Sequence, residues 1–273
     1  MMNHLKIDTY ITYCCGDIHG EFGAVSTFIN SYCLYDCVLI ICGDVGLGFN
    51  KERYYKDTLE RLNKTCEKRN VYVLMVRGNH DDPRYFKDKM IDYPFVKAID
   101  DYTVVETNNK NILCVGGAVS IDREWRKSSE ALREIEYVRF HPSATKESMD
   151  RDVGHLYWKD EKPYFDEVFF KELAESGIKI DYVATHSSPS ICELRMTNGI
   201  TEWLEKDANL ETDIKEERSI MDKILETLSK GGHNIKMWCY GHFHQHIEEE
   251  INGTRYVMLN MCKNNKIDVK ELR

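Results

Sequence analysis

Short apolar runs of strand length alternate along the chain with segments whose apolar residues recur at helical spacing, the rhythm of an α/β fold. The runs predict strands at 9–15, 37–42, 71–77, 112–119, 182–185, 236–240 and 255–260. Between the first two, residues 21–33 carry Phe22, Val25, Phe28 and Ile29 on one helical face, and 52–68 repeat the stripe through Tyr55, Leu59 and Leu62. Both segments predict helices that cover a sheet. Parallel strands joined by such crossovers bring their carboxyl ends to one edge, where open α/β sheets bind ligands.

Two stretches break the rhythm. Residues 122–175, with RFHPS and GHLYWKDEKPYFDE, are dense in charge and aromatics and predict lid-like irregular loops and a helix over the crevice. Residues 196–230 read as a charged helical insertion, whose stripe of Ile214, Ile220, Met221, Ile224, Leu225 and Leu228 packs on the domain edge. No repeat, low-complexity tract or linker divides the chain, so one domain is expected over 1–273.

Five strands end in polar clusters: GDIHG at 16–20, GDVG at 43–46, GNHD at 78–81, THSSP at 185–189 and GHFH at 241–244. Collected at one sheet edge, these supply Asp17, His19, Asp44, Asn79, His80, His186, His242 and His244. Such an oxygen and nitrogen set suits manganese, iron or zinc. One metal could not use so many ligands and stay open to substrate, whereas two metals sharing a carboxylate could, and Asp44 is the natural bridge. Two such cations polarise a bridging water to hydroxide and neutralise phosphoryl oxygens during in-line attack.

The order D-x-H, GD, GNHD, H, GHxH, running from Asp17 to His244, resembles the calcineurin-like metallophosphoesterase superfamily. The resemblance implies a two-layer β-sandwich flanked by helices, with the active site on the loops at the strand carboxyl ends. It implies that Asp17, His19 and His244 hold a first metal, that Asn79, His186 and His242 hold a second, and that Asp44 bridges them. His80 then stays unliganded beside the phosphate, to stabilise charge or protonate the leaving oxygen. The expected activity is metal-dependent hydrolysis of phosphate esters, as a phosphomonoesterase or phosphodiesterase using two divalent ions, manganese before iron or zinc. A Ser/Thr protein or nucleotide phosphatase is the alternative within the class. A catalytically silent metal-binding scaffold is the alternative outside it.

The Ser/Thr protein phosphatase branch places an Asp-Arg pair three and four residues after the bridging Asp, where this chain has Leu47 and Gly48, and its GNHE is GNHD here. Another cation must then bind the phosphate, or binding must rely on the metals. Arg123 and Arg126, in AVSIDREWR after Gly116-Gly117, are placed to supply that cation, with salt bridges to nearby acids as their other reading. Asp81 or Asp82 would replace the acid that orients His80, and Trp158, Asp160 and Glu161 are weaker candidates in the lid-like stretch. His4, His141, His155, His233 and His246 lack ligand spacing and are expected at the surface or core edge.

Composition narrows the partners. A formal charge of -9 and a pI near 5.6 leave no basic field for long nucleic acid. The ten cysteines form no C-x-x-C pair and read as reduced core thiols. The amino-terminal residues lack a signal-peptide pattern and no run reaches membrane-spanning length. Together these features predict a cytoplasmic protein away from membranes, and the resemblance implies a small phosphate ester or a phosphoprotein as its substrate.

Overall fold

The computed structural model describes residues 2–193 and 200–273. In chain order the elements are β1 (His4–Lys6), β2 (Ile11–Cys15), α1 (Phe22–Ser31), β3 (Cys37–Ile41), α2 (Glu52–Glu67), β4 (Val71–Met75), α3 (Arg84–Lys87), β5 (Val96–Ala98), β6 (Thr103–Thr107) and β7 (Lys110–Val115). There follow α4 (Arg123–Phe140), α5 (Lys146–Asp152), α6 (Glu167–Ser176), β8 (Tyr182–Thr185), α7 (Ile200–Lys206), α8 (Leu210–Lys230), β9 (Met237–Tyr240), β10 (Ile247–Ile251), β11 (Thr254–Met258) and β12 (Val269–Glu271).

The strands make a seven-stranded sheet, β1-β6-β7-β8-β9-β11-β10, and a five-stranded sheet, β12-β2-β3-β4-β5. Pairing is parallel through β2, β3, β4 and β5, and again through β7, β8, β9 and β11. The period-two alternation of strand side chains divides the core. On β2, β3 and β4, Cys14, Val38, Ile40 and Leu74 face the other sheet and meet Ile112, Cys114, Ala184, Cys239 and Val257. Their neighbours Cys15, Leu39, Ile41, Val73 and Met75 face outward onto Phe22, Val25 and Ile29 of α1 and Tyr55, Leu59 and Leu62 of α2. On the far side Val104, Leu113, Val183 and Trp238 pack under Phe169, Leu173, Met221, Ile224 and Leu228 of α6 and α8. The fold is thus a mixed α/β sandwich of two sheets flanked by helices. All ten cysteines are unpaired, and nine are buried.

All seven expected strands are present, trimmed by up to four residues at an end. Of the five additional strands, β1, β5 and β12 have three residues each and β10 reads IEEEI, while β6, TVVET, is five residues long and mostly buried. The β6–β7 and β10–β11 hairpins turn on Asn108-Asn109 and Asn252-Gly253, all at positive φ, as two-residue hairpin turns require. Residues 122–175 are not mainly irregular loops. They hold three helices, of which α4 buries only Arg123 and Arg126, so it has no apolar stripe to betray it in sequence. The insertion is two helices, α7 and α8, and its residues 196–199 lie outside the described residues. No helix among the described residues is long and apolar enough to cross a membrane.

Candidate metal centre

The five polar clusters follow β2, β3, β4, β8 and β9 and converge at one end of the sandwich. Their loops are locked to one another by buried polar contacts. The Asp81 carboxylate accepts the amides of Val45, Gly46, Leu47 and Gly78 at 2.7–3.1 Å, stapling the loop after β3 to that after β4. The Tyr55 hydroxyl donates to the Gly46 carbonyl at 2.7 Å and accepts the Gly48 and Asn50 amides at 2.9 Å. Close approach explains two of the glycines: a Cβ on Gly78 would lie 2.2 Å from Asp44 Oδ1, and one on Gly241 would lie 2.0 Å from Asp17 Oδ1. His19, Asp44, His242 and His244 stand at φ of 44°, 47°, 68° and 53°. Non-glycine residues rarely adopt such values, and they cluster where surrounding structure imposes a geometry.

Asp17, His19, Asp44 and His244 each offer a ligand atom within 4.8 Å of the others. His244 Nε2 is 3.1 Å from Asp17 Oδ2 and 3.4 Å from His19 Nε2, which lies 3.9 Å from Asp44 Oδ2. Both carboxylates are fully buried. Asp17 accepts the His242 amide at 3.1 Å, and Asp44 Oδ1 accepts the His80 amide at 2.8 Å. Burial opposes the charged form of Asp44, but His80 and His186 outweigh it and hold the carboxyl well below its usual range. Two buried carboxylates facing imidazoles are costly without a cation to offset them.

Beside this group a second one forms around His186. Its Nδ1 lies 2.8 Å from the Cys42 carbonyl oxygen and so carries the proton, leaving the Nε2 lone pair aimed at Asn79 Oδ1, at 2.8 Å, and Asp44 Oδ1, at 3.1 Å. The Asn79 amide is oriented by a chain of donors. The Ser120 hydroxyl, 2.6 Å from Glu161 Oε2, donates to that carboxylate and therefore accepts from Asn79 Nδ2, at 2.9 Å. Three lone pairs thus converge with no proton among them while His186 is neutral. Burial disfavours a charged His186, yet Asp44 and Asp17 outweigh it and raise its pKa to about 10. A proton fills the place that a divalent cation takes. The His242 ring stands 5.0 Å from that of His186. The donor set therefore fits two metals with Asp44 between them.

Residues 12–246 match the calcineurin-like phosphoesterase family. The chain belongs to that family. No curated protein matches it in sequence. Among solved structures, one is 12% identical with a TM-score of 0.50, the match covering 96% of this chain and 99% of that one. A putative 5'-nucleotidase from Staphylococcus aureus is 12% identical with a TM-score of 0.46; 96% of this chain covers half of that protein's length. The phosphopantetheinyl hydrolase of Mycobacterium tuberculosis is 15% identical with a TM-score of 0.41, over 93% of this chain and 90% of that one.

In this calcineurin-like phosphoesterase the two candidate arginines part company. Arg126 reaches the site: its Nη2 is 2.7 Å from His80 Nε2, while its Nε donates to Asp122 at 2.7 Å and its Nη1 to the Leu156 carbonyl at 3.1 Å. Arg123 does not. Its guanidinium is committed to Asp207 and Asp213, so for this residue the salt-bridge reading holds. Because Arg126 donates to Nε2, His80 carries its proton on Nδ1, 3.7 Å from Asp44 Oδ2. Burial, with Arg126 beside it, lowers the His80 pKa to about 4.

Neither acid proposed to orient His80 does so, since Asp81 holds backbone amides and Asp82 pairs with Arg84 at 2.6 Å. The remaining histidines take partners of their own: His4 meets Glu106, His155 Glu130, His246 Asp268, His141 the Tyr137 carbonyl and His233 the Ile180 amide. Ser120 and Glu217 were not legible as site residues, and Asp81 was legible as a site residue but in another role. Glu161 was legible only weakly, because its link to Asn79 runs through Ser120, 41 residues from each. Burial raises Glu161 to about 7.

Proposed function

We propose that this chain hydrolyses phosphate monoesters or diesters with two divalent transition-metal ions, manganese foremost, in the two adjoining groups. Asp17, His19 and His244 hold the first, Asn79, His186 and His242 the second, and Asp44 serves both. The observation that carries this reading is the division of Asp44: Oδ1 faces His186 at 3.1 Å while Oδ2 faces His19 at 3.9 Å. Bound ions supply Lewis acidity, lowering the pKa of water and drawing charge from phosphoryl oxygens. The protein contributes the rest. Arg126 brings guanidinium charge toward phosphate oxygens, and His80, beside it, stabilises charge there or protonates the leaving oxygen.

The test is to strip the protein with a chelator, add manganese back with metal quantified, and follow p-nitrophenyl phosphate and bis(p-nitrophenyl) phosphate. About two ions per chain are expected, with turnover returning as they bind. Undiminished turnover by stripped protein overturns the reading. Full metal binding without turnover of either ester returns the scaffold reading.

A further inference from the structure

The crevice beside the candidate metal centre has a volume of about 320 Å³, and its lining is of two chemical kinds. One is Asp44, Asn79, His80, His242 and His244, the other Val119, Ile121, Ile200, Trp203, Ile214 and Phe243. The apolar lining comes from the strand-end loops and from α7 and α8, so it lies where the part of a phosphate ester remote from phosphorus must sit. Its size is ample, since a cavity of about 150 Å³ already accepts a benzene ring.

Charge sharpens the choice. Arg218 is the one Lys or Arg among the described residues that line the cavity. It is buried, two of its N–H groups donate to Ser188 Oγ at 2.9 Å and to the Cys192 carbonyl, and its guanidinium carbon lies 5.8 Å from the Phe243 ring centroid. The other charged residues there are acids, Asp122 and Glu217. Glu217 is buried and accepts from the Val119 amide and the Ser187 hydroxyl. A further phosphate or carboxylate on the substrate would meet two acids, hydrocarbon and a single guanidinium already bonded to Ser188 and Cys192.

Building on the phosphoesterase reading, we infer that the apolar lining seats the alcohol portion of the substrate, and that this portion is an uncharged, ring-bearing group. Nucleoside polyphosphates and acidic phosphopeptides are disfavoured by the same surface. Trp203 and Ile214 on the helices, with Ile121 opposite, set that preference.

The experiment compares kcat/KM for ethyl phosphate, 2-phenylethyl phosphate and 2-(4-carboxyphenyl)ethyl phosphate, whose alcohols are alike as leaving groups. The phenyl ester is expected to exceed the ethyl ester by about ten- to a hundredfold, and the carboxylated ester to fall back toward ethyl. Trp203→Ala should cut the phenyl-to-ethyl ratio by about tenfold, with circular dichroism and metal content confirming the fold. Ile121→Asn, at a position 38% exposed, repeats the test outside the core. Equal rates on all three esters, or ratios unmoved in both variants, overturn the inference and leave the phosphoesterase reading standing. Failure of metal-loaded protein to turn over any of the three overturns both.

Discussion

The metal centre and the helical wall share one cavity but hold their side chains by different means. At the centre, backbone and buried polar groups set the candidate ligands: the Cys42 carbonyl orients His186, the His80 amide Asp44, the His242 amide Asp17 and the Ser120 hydroxyl Asn79, and four of the residues keep positive φ. Across the cavity, α4 is tied to the insertion by ion pairs of Arg123 with Asp207 and Asp213, and Lys162 joins Asp213 and Glu216. Reaction geometry needs ligands held to fractions of an ångström, which buried, over-determined loops provide. A wall that only recognises shape and polarity tolerates looser support, and its side chains can change without disturbing the sandwich.

The sharpest way to break this contrast is Asp44→Ala. Removing the shared ligand should empty both groups and lower kcat/KM by more than about 10³-fold, beyond the 10²–10³ of losing one stabilising group. Metal analysis beside the rate assay checks it, and retention of both ions with normal turnover would sink the bridge. His80→Ala should lower kcat by about 10²–10⁴-fold while metal content stays at the wild-type level. A lost ion with turnover per remaining site intact would make His80 a ligand.

The two arginines test the boundary between the regions. Arg126→Ala is expected to cost about 1.5–3 kcal/mol in transition-state binding, ten- to a hundredfold in kcat/KM. Arg123→Ala should act on stability instead, lowering it by about 1.5–3 kcal/mol because buried Asp207 loses its partner and Asp213 keeps only Lys162. Thermal melts and kinetics on one ester separate them, and interchanged effects would reverse the assignment.

The smallest expected effect lies where centre and lid meet. Glu161→Gln lets the Ser120 hydroxyl reverse and turn the Asn79 amide, so affinity for the ion at His186 should fall about ten- to a hundredfold, the usual cost of a lost outer partner. Calorimetric metal titration reads this directly. The same variant has a pH signature. Burial raises Glu161 from 4.5 to about 7, so the fold favours its protonated form. Its contribution to stability is full below pH 4.5 and is lost as pH rises through 7. Denaturant melts of metal-free protein at pH 5 and 8 should therefore show less loss of stability at the higher pH in Glu161→Gln than in wild type.

Legibility in sequence followed the same division as the molecule. β3 is buried along its whole length and reads as an unbroken apolar run, CVLII, with GDVG beginning two residues after it. Strand, turn and ligand were recognisable together because a central parallel strand has no solvent face to blur its pattern. β10, with three consecutive Glu at a sheet edge, carries no such run, and its Asn252-Gly253 turn was the available signal. α4 was not placed within 122–175 because a helix that buries two arginines and leaves Leu132, Ile135 and Phe140 exposed has no apolar face directed at the core.

By itself the sequence named the candidate ligands, because glycine-flanked Asp, Asn and His at the ends of parallel strands have one common place to meet. Only the tertiary structure decided which arginine lies against His80. Arg123 and Arg126 stand three apart on one helix and share a face, so local pattern cannot separate them. The choice is made by Asp207 and Asp213, 84 and 90 residues further along, whose carboxylates fold back onto Arg123 and leave Arg126 against His80. Charge pairing in a buried crevice depends on which groups arrive there, and that is settled by the path of the chain in space.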